Sequence, residues 1–183
     1  FSFWKDFREI AQSSKKDVLL ISEIFGDTSQ WLQGDRFDGT MNYSFRETMT
    51  DFFATKRINT KEFSDSLAYL YSMYSFEALS SCQNLLSSHD VKRFLNRCGN
   101  NEEGVLGALF LQATFPGIAG IYYGDEIGLG GADDPFNRAT FPWENNDMWN
   151  TKILKYTQEL MNIKNSNSIF KYGRFELVQY DED

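Results

Sequence analysis

The stretch Asp17-Val18-Leu19-Leu20-Ile21-Ser22-Glu23 decides the fold. Consecutive apolar residues bounded by polar ones, two of them β-branched, are the pattern of a strand covered on both faces within a parallel sheet. The run leads directly into a carboxylate, Glu23. Two further runs have the same character: Leu85-Leu86 leading to Ser87-Ser88-His89-Asp90, and Ile118-Ala119-Gly120-Ile121-Tyr122-Tyr123 leading to Gly124-Asp125-Glu126. A weaker candidate, 37–43, ends in the same way.

Helical patterns separate these runs. Residues 3–12 place Phe3, Trp4, Phe7 and Ile10 on one face. Others follow over 44–55, 61–75 behind Thr60 as N-cap, 103–114 behind Asn101, and 150–165. Alternating strand and helix implies a parallel sheet with crossover helices, and ligands in such folds bind beyond the carboxyl ends of the strands. The polar clusters at those ends are therefore the site candidates.

The 183 residues, 42% hydrophobic and 16% aromatic, suffice for one soluble domain with a sizeable core. A formal net charge of −8 and the lack of a Lys/Arg-rich run argue against a nucleic-acid partner. No stretch approaches the roughly 18 to 20 apolar residues that span a bilayer, so no membrane partner is expected. Cys82 and Cys98 read as two free thiols. The chain begins inside a pattern, at Phe1-Ser2-Phe3-Trp4, without a basic and apolar leader; it reads as a piece of a longer, cytoplasmic protein.

Glu23, following directly on apolar residues, is expected to be partly desolvated, which raises a carboxyl toward the general-acid range. The competing reading pairs it with a cation at a strand end. His89, the one histidine, stands beside Asp90 at the same predicted end of the sheet. The carboxylates of Asp27, Asp35, Asp38, Asp90, Asp125 and Glu126 suit Ca²⁺, but they lack EF-hand spacing or a His/Cys ligand cluster, so no catalytic metal is expected. Phe25, Trp31, Phe37, Tyr43, Tyr122, Tyr123, Phe136, Phe141, Trp143 and Trp149 crowd the predicted loops. Most are expected to be core, and the remainder suit stacking on sugar rings. Gly128-Leu129-Gly130-Gly131 lacks a following Lys-Ser/Thr and reads as a loop-shaping stretch, not a phosphate cradle.

The order ISEIFGD (21–27), FDGTMNYSF (37–45), NLLSSHDVKRFL (84–95) and PGIAGIYYGDEIGL (116–129) resembles the α-amylase superfamily, glycoside hydrolase family 13. WLQGDRFDGTMNYSF (31–45) and GGADDPFNR (130–138) look most like its cyclomaltodextrinase, neopullulanase and maltogenic amylase branch. The resemblance implies an α/β fold, the C-terminal half of a (β/α)8 TIM barrel with strands five to eight and their helices. Residues 1–166 would form this partial barrel, and 167–183 the start of a C-terminal β-domain whose first strand covers 175–180.

By the same resemblance Glu23 is the general acid/base and Asp90 the carboxylate that stabilises the transition state. His89 would hydrogen-bond the reacting sugar. Phe25, where relatives often carry Trp, would line the acceptor side with Met41, Tyr43 and Ser88, while Asp134 and Arg138 would grip the non-reducing part of the glucan. The family's nucleophile, an Asp at the end of strand four, would precede Phe1. The isolated chain is thus expected to be inactive and, with two open sheet edges, to self-associate or pair with the other barrel half. No cofactor is required, and any structural Ca²⁺ belongs to the rest of the parent. The implied activity is retaining hydrolysis of α-1,4 bonds, with α-1,6 as a second linkage, in maltooligosaccharides, cyclodextrins or pullulan. An α-glucosidase or oligo-1,6-glucosidase relative and a non-catalytic glucan-binding module are the alternatives.

Overall fold

The computed structural model describes residues 2–178. Four short parallel strands, β1 (Ile21–Ser22), β2 (Gly39–Asn42), β3 (Gln83–Leu85) and β4 (Ile118–Gly120), lie side by side in chain order. The register pairs Ile21 with Gly39, Ser22 with Thr40, Met41 with Gln83, Asn42 with Asn84, and Asn84 with Ala119. Strand order that follows chain order, with helices between, is the arrangement the alternating pattern predicts.

β1, β2 and β4 are shorter than the sequence runs, and β3 starts two residues before its run. The ladder of β1 holds only Ile21 and Ser22, although Leu20 is tied to Asp38 through its N–H (to Oδ2, 2.8 Å) and its carbonyl (from the Asp38 N–H, 2.8 Å). Leu19 is 52% exposed, so the expected burial of this run on both faces is not met; among the described residues nothing pairs with the outer side of β1.

Helix α1 (Ser2–Ser14) is amphipathic as expected, but its apolar face is largely bare. Phe3, Phe7 and Ile10 are exposed; Trp4 anchors the helix against Phe37 at 5.0 Å, and its polar side is tied down by Arg8 on Asp38 (2.7 Å) and Lys5 on Asp35 (2.6 Å). The helix expected over 44–55 is α2 (Tyr43–Met49) followed by a π-turn at Thr50–Ala54. Helix α3 (Thr60–Met73) is capped one residue earlier than expected, by Asn59. Its side chain accepts from the Glu62 N–H at 2.9 Å while Glu62 accepts from the Asn59 N–H at 2.9 Å, a capping box that Thr60 cannot form. The chain then breaks at an extended Tyr74 and restarts as α4 (Phe76–Ser81), capped by Ser75. After the single-turn α5 (Phe94–Arg97), α6 (Glu102–Thr114) starts at Asn101 as expected, and α7 (Thr151–Ser166) starts at Asn150.

A large core under β3 joins Phe45, Met49, Leu67, Leu86, Leu109 and Phe115. A smaller cluster of Leu32, Phe37, Ala78 and Cys82 supports β1 and β2. Gly39 is obligatory there: a Cβ on it would lie 2.1 Å from the Ser81 carbonyl oxygen, so strand and helix end touch backbone to backbone. Both cysteines are free and buried, and burial pushes each thiol up to about 11.

Beyond α7 a single helical turn, α8 (Ile169–Tyr172), leads to residues 173–178, which form no strand. Phe175 instead packs on Phe115 at 5.0 Å. Gln179 and Tyr180, the rest of the strand expected over 175–180, lie outside the described residues.

Candidate active site

Parallel strands deliver their carboxyl ends to one side of the sheet, and there Glu23, one residue past β1, meets His89 and Asp90, which follow β3. One ligand atom from each of the three lies within 4.8 Å of the others. Nε2 of His89 stands 3.9 Å from Oε1 of Glu23 and 3.3 Å from Oδ1 of Asp90. The partial desolvation expected of Glu23 is not supplied by its own strand: its side chain is 44% exposed, because the outer side of β1 is bare.

Tyr43, the first residue of α2, points its hydroxyl between two partners, Oε1 of Glu23 at 3.4 Å and Oγ of Ser88 at 3.0 Å. The tyrosine is buried, which raises its phenol above the ordinary value; the Ser88 hydrogen bond works against this, and the nearby carboxylates of Glu23 and Asp90 add to it. A phenol held neutral is a donor to a carboxylate. Its ring stacks on Phe25 at 3.9 Å, and Phe25 itself is 59% exposed, offering its other face to solvent. Ser88 is buried and its Oγ also accepts from the Asp90 N–H at 3.2 Å, fixing the turn that presents Asp90. Met41 lies half-buried in β2, in register with Gln83, with no recorded bond to the cluster.

On the other flank, Arg138 is held by Asp134 (Nε to Oδ1, 2.9 Å) and donates to the His89 carbonyl at 3.0 Å. Its Nη2 reaches Oδ1 of Asp90 at 3.8 Å. Every residue to which the resemblance gave a site role, except Met41, is thereby linked, directly or through one neighbour, to the group around Glu23.

Three contributors were not foreseen. Asn137 is fully buried, and its side-chain amide donates to the carbonyls of His89 (2.8 Å) and Val91 (3.1 Å), stapling the 134–138 loop to the turn that carries Asp90. Arg93 is fully buried, donates to the Tyr123 carbonyl at 2.7 Å, pairs with Asp125 at 3.3 Å, and lies over the rings of Tyr122 and Tyr123. Ser87 anchors the start of α5 by accepting from the Phe94 N–H at 3.0 Å. Their only sequence signal was position: each is a polar residue within a few places of a singled-out one.

Four of the carboxylates considered for a metal are dispersed and separately engaged. Asp27 caps its own turn at Ser29, Asp35 pairs with Lys5 and Arg36, Asp38 with Arg8, and Asp125 with Arg93. Among the described residues the spacing of Glu23, His89 and Asp90 alone suits a cation, but all three are exposed and the set is two carboxylates with one imidazole, equally suited to sugar hydroxyls. The loop aromatics divide differently from expectation: only Phe37 and Tyr43 are buried, while Phe25, Tyr123, Phe136 and Trp143 are exposed. The loops around the site pack on one another and leave these rings facing outward. No helix among the described residues is long and apolar enough to cross a membrane.

Residues 1–172 match the family model for the alpha amylase catalytic domain. The chain is 41% identical over 163 residues to neopullulanase 2 of Thermoactinomyces vulgaris, covering 89% of this chain and 28% of that protein. It is 36% identical over 173 residues to a cyclomaltodextrinase of Thermoanaerobacter pseudethanolicus, covering 94% of this chain and 30% of that one. The chain thus spans about three tenths of the length of these curated relatives. Among solved structures, the ligand-free cyclic alpha-maltosyl-(1→6)-maltose hydrolase of Arthrobacter globiformis superimposes with a TM-score of 0.95 at 32% identity, over 100% of this chain and 41% of that one. The same hydrolase in complex with its cyclic substrate gives 0.91, again at 32%, over 94% of this chain and 39% of that one.

Proposed function

Since the chain belongs to the α-amylase catalytic-domain family, we propose that it forms the half of a retaining α-glucan hydrolase that carries the acid/base Glu23 and the transition-state carboxylate Asp90. The observation that carries this reading is the convergence of Glu23, His89 and Asp90 within 4.8 Å at the carboxyl ends of neighbouring parallel strands. β1 to β4 are then strands five to eight of a (β/α)8 barrel. The bare outer side of β1, continuous with the exposed face of α1, is the seam for the other half, which supplies the nucleophile.

In this reading a glucan lies across the cluster with its scissile oxygen at Glu23. Retaining hydrolysis sets a nucleophile about 5 to 5.5 Å from the acid and passes through a glycosyl-enzyme. Glu23 gives its proton to the leaving oxygen and then takes one from the incoming water or sugar hydroxyl. His89 and Asp90 hold the hydroxyls of the reacting ring, and Asp90 offsets the positive charge that develops on it. Arg138 keeps Asp90 in place. Docking the other half excludes water from Glu23 and supplies the desolvation that the chain itself does not. The proposed bonds are α-1,4, with α-1,6 as a second linkage, in maltooligosaccharides, cyclodextrins or pullulan.

The test is Glu23→Gln in the full-length enzyme. Hydrolysis of maltoheptaose should fall about 10²- to 10⁴-fold, the range for a lost general acid. The glycosylation step with α-maltosyl fluoride, whose leaving group needs no proton, should fall far less. Equal losses on both substrates would remove Glu23 from the acid role, and a wild type that binds maltotriose without cleaving any glucan would make the protein a binding module. The chain alone should give no Glu23-dependent product.

A further inference from the structure

His89 and Asp90 form the tip of a tight turn closed by the bridge between Ser88 and Val91, so the backbone of that turn decides where their side chains aim. On one side Ser88 Oγ accepts from the Asp90 N–H at 3.2 Å. On the other side a single amide brackets Asp90. Nδ2 of Asn137 donates to the His89 carbonyl at 2.8 Å and to the Val91 carbonyl at 3.1 Å, with the Ser88 carbonyl farther off at 3.5 Å. An amide nitrogen carries two hydrogens, and both serve the residues flanking Asp90. Oδ1 of Asn137 is buried and accepts from no group among the described residues, so the side chain acts here as a donor only.

Three observations separate this contact from ordinary loop packing. Asn137 is fully buried, so it reaches a substrate only through the turn. The His89 carbonyl takes a second donor, Nε of Arg138 at 3.0 Å, so adjacent residues, one buried and one about half exposed, grip the same oxygen. Asn137 is in turn fixed by backbone: the Arg93 N–H donates to the Gly131 carbonyl at 3.1 Å, and a Cβ on Gly131 would lie 2.9 Å from Cα of Asn137. The 131–138 loop and the peptide between His89 and Asp90 therefore move as one piece.

We propose that Asn137 is a positioning residue for the reaction: its amide holds the His89–Asp90 peptide in the plane that directs both side chains at the reacting ring as positive charge develops on it. The proposal rests on the hydrolytic reading of the cluster and adds to it a residue that touches neither the substrate nor Glu23. The two grips on the His89 carbonyl then have different effects. Arg138, exposed, acts on binding, whereas Asn137, buried, acts on the transition state. A displacement of about 1 Å at a reacting centre costs up to about 100-fold in rate, so the loss of both bonds should fall on kcat.

The experiment uses the full-length enzyme with maltotriose as substrate and 1-deoxynojirimycin, a glucose-sized ring that carries a positive charge, as inhibitor. Asn137→Ala should lower kcat about 10- to 100-fold, leave KM within about two-fold, and raise the Ki of the cationic ring at least about three-fold. Asn137→Ser, which keeps one donor in a smaller volume, should fall between wild type and Asn137→Ala, and it gives the reading if the alanine variant does not fold. Ki is read only from folded, active molecules. A variant that has merely lost part of its folded population would show a lower apparent kcat at an unchanged Ki, and that result overturns the proposal. So does a loss confined to KM, or wild-type kcat and Ki in both variants. A wild type that cleaves no maltooligosaccharide overturns the hydrolytic reading and this proposal together.

Discussion

The hydroxyl of Tyr43 faces Oε1 of Glu23 across 3.4 Å and holds Oγ of Ser88 on its other side at 3.0 Å. Burial and the stack on Phe25 leave that hydroxyl little freedom, so it orients the carboxyl instead of following it. Tyr43→Phe keeps the stack and removes the donor. One neutral donor is worth about 0.5–1.5 kcal/mol, so kcat of the full-length enzyme should fall roughly two- to ten-fold with KM little changed. A kcat equal to that of wild type would leave Tyr43 with packing alone.

Arg138 does three things with one planar group: it pairs with Asp134, donates to the His89 carbonyl and approaches Asp90. An ammonium lacks that fork, so Arg138→Lys is not a conservative change. We expect kcat/KM on maltoheptaose to fall about ten-fold, mainly through KM, with Tm nearly unchanged because the side chain is about half exposed. Steady-state kinetics on both proteins checks this, and an unchanged KM would separate Arg138 from substrate.

Asp125 is deeply set behind the site, and burial raises its carboxyl to about 7; hydrogen bonding to Ser87 and the charge of Arg93 oppose that rise without cancelling it. The folded protein therefore holds this proton to a higher pH than the unfolded chain, whose Asp titrates near 3.9. The associated stability is fully present below about pH 4 and is lost as pH rises toward about 7. Asp125→Asn removes that slope, so the variant's Tm relative to wild type should climb by several degrees between pH 4.5 and 7.5, at roughly 2–4 °C per kcal/mol. Thermal scans of the full-length protein at three pH values measure it. A pH-independent difference would show that Arg93 keeps Asp125 ionised in the fold.

The bare side of β1, with Leu19 half exposed beside Phe7, invites pairing. The 183-residue chain expressed alone should sediment as more than a monomer at tens of micromolar, and Leu19→Lys should shift it toward monomer. A chain that is monomeric before the change would show that its edge needs no cover.

Sequence made the strand ends legible because a parallel strand and its terminal carboxylate are written in consecutive residues: Glu23 after Ile21-Ser22, and His89-Asp90 after the run around Leu85. The helix cap at Asn101 was equally local. What escaped was non-local. Asn137 owes its role to carbonyls about fifty residues earlier, and the exposure of Leu19 depends on which strand stands beside it. The break at Tyr74 was hidden because the apolar period of α3 runs on toward α4, and only the Ser75 cap separates them.

β2 is four residues long, and it spends them evenly: Gly39 and Thr40 register β1, Met41 and Asn42 register β3. It therefore works as a gauge across the site, with Glu23 keyed to its first pair and the His89–Asp90 turn to its second. The connecting segments at 24–38 and 43–82 lie outside that gauge. A residue added to or removed from them leaves the offset between Ser22 and Asn84 where β2 sets it.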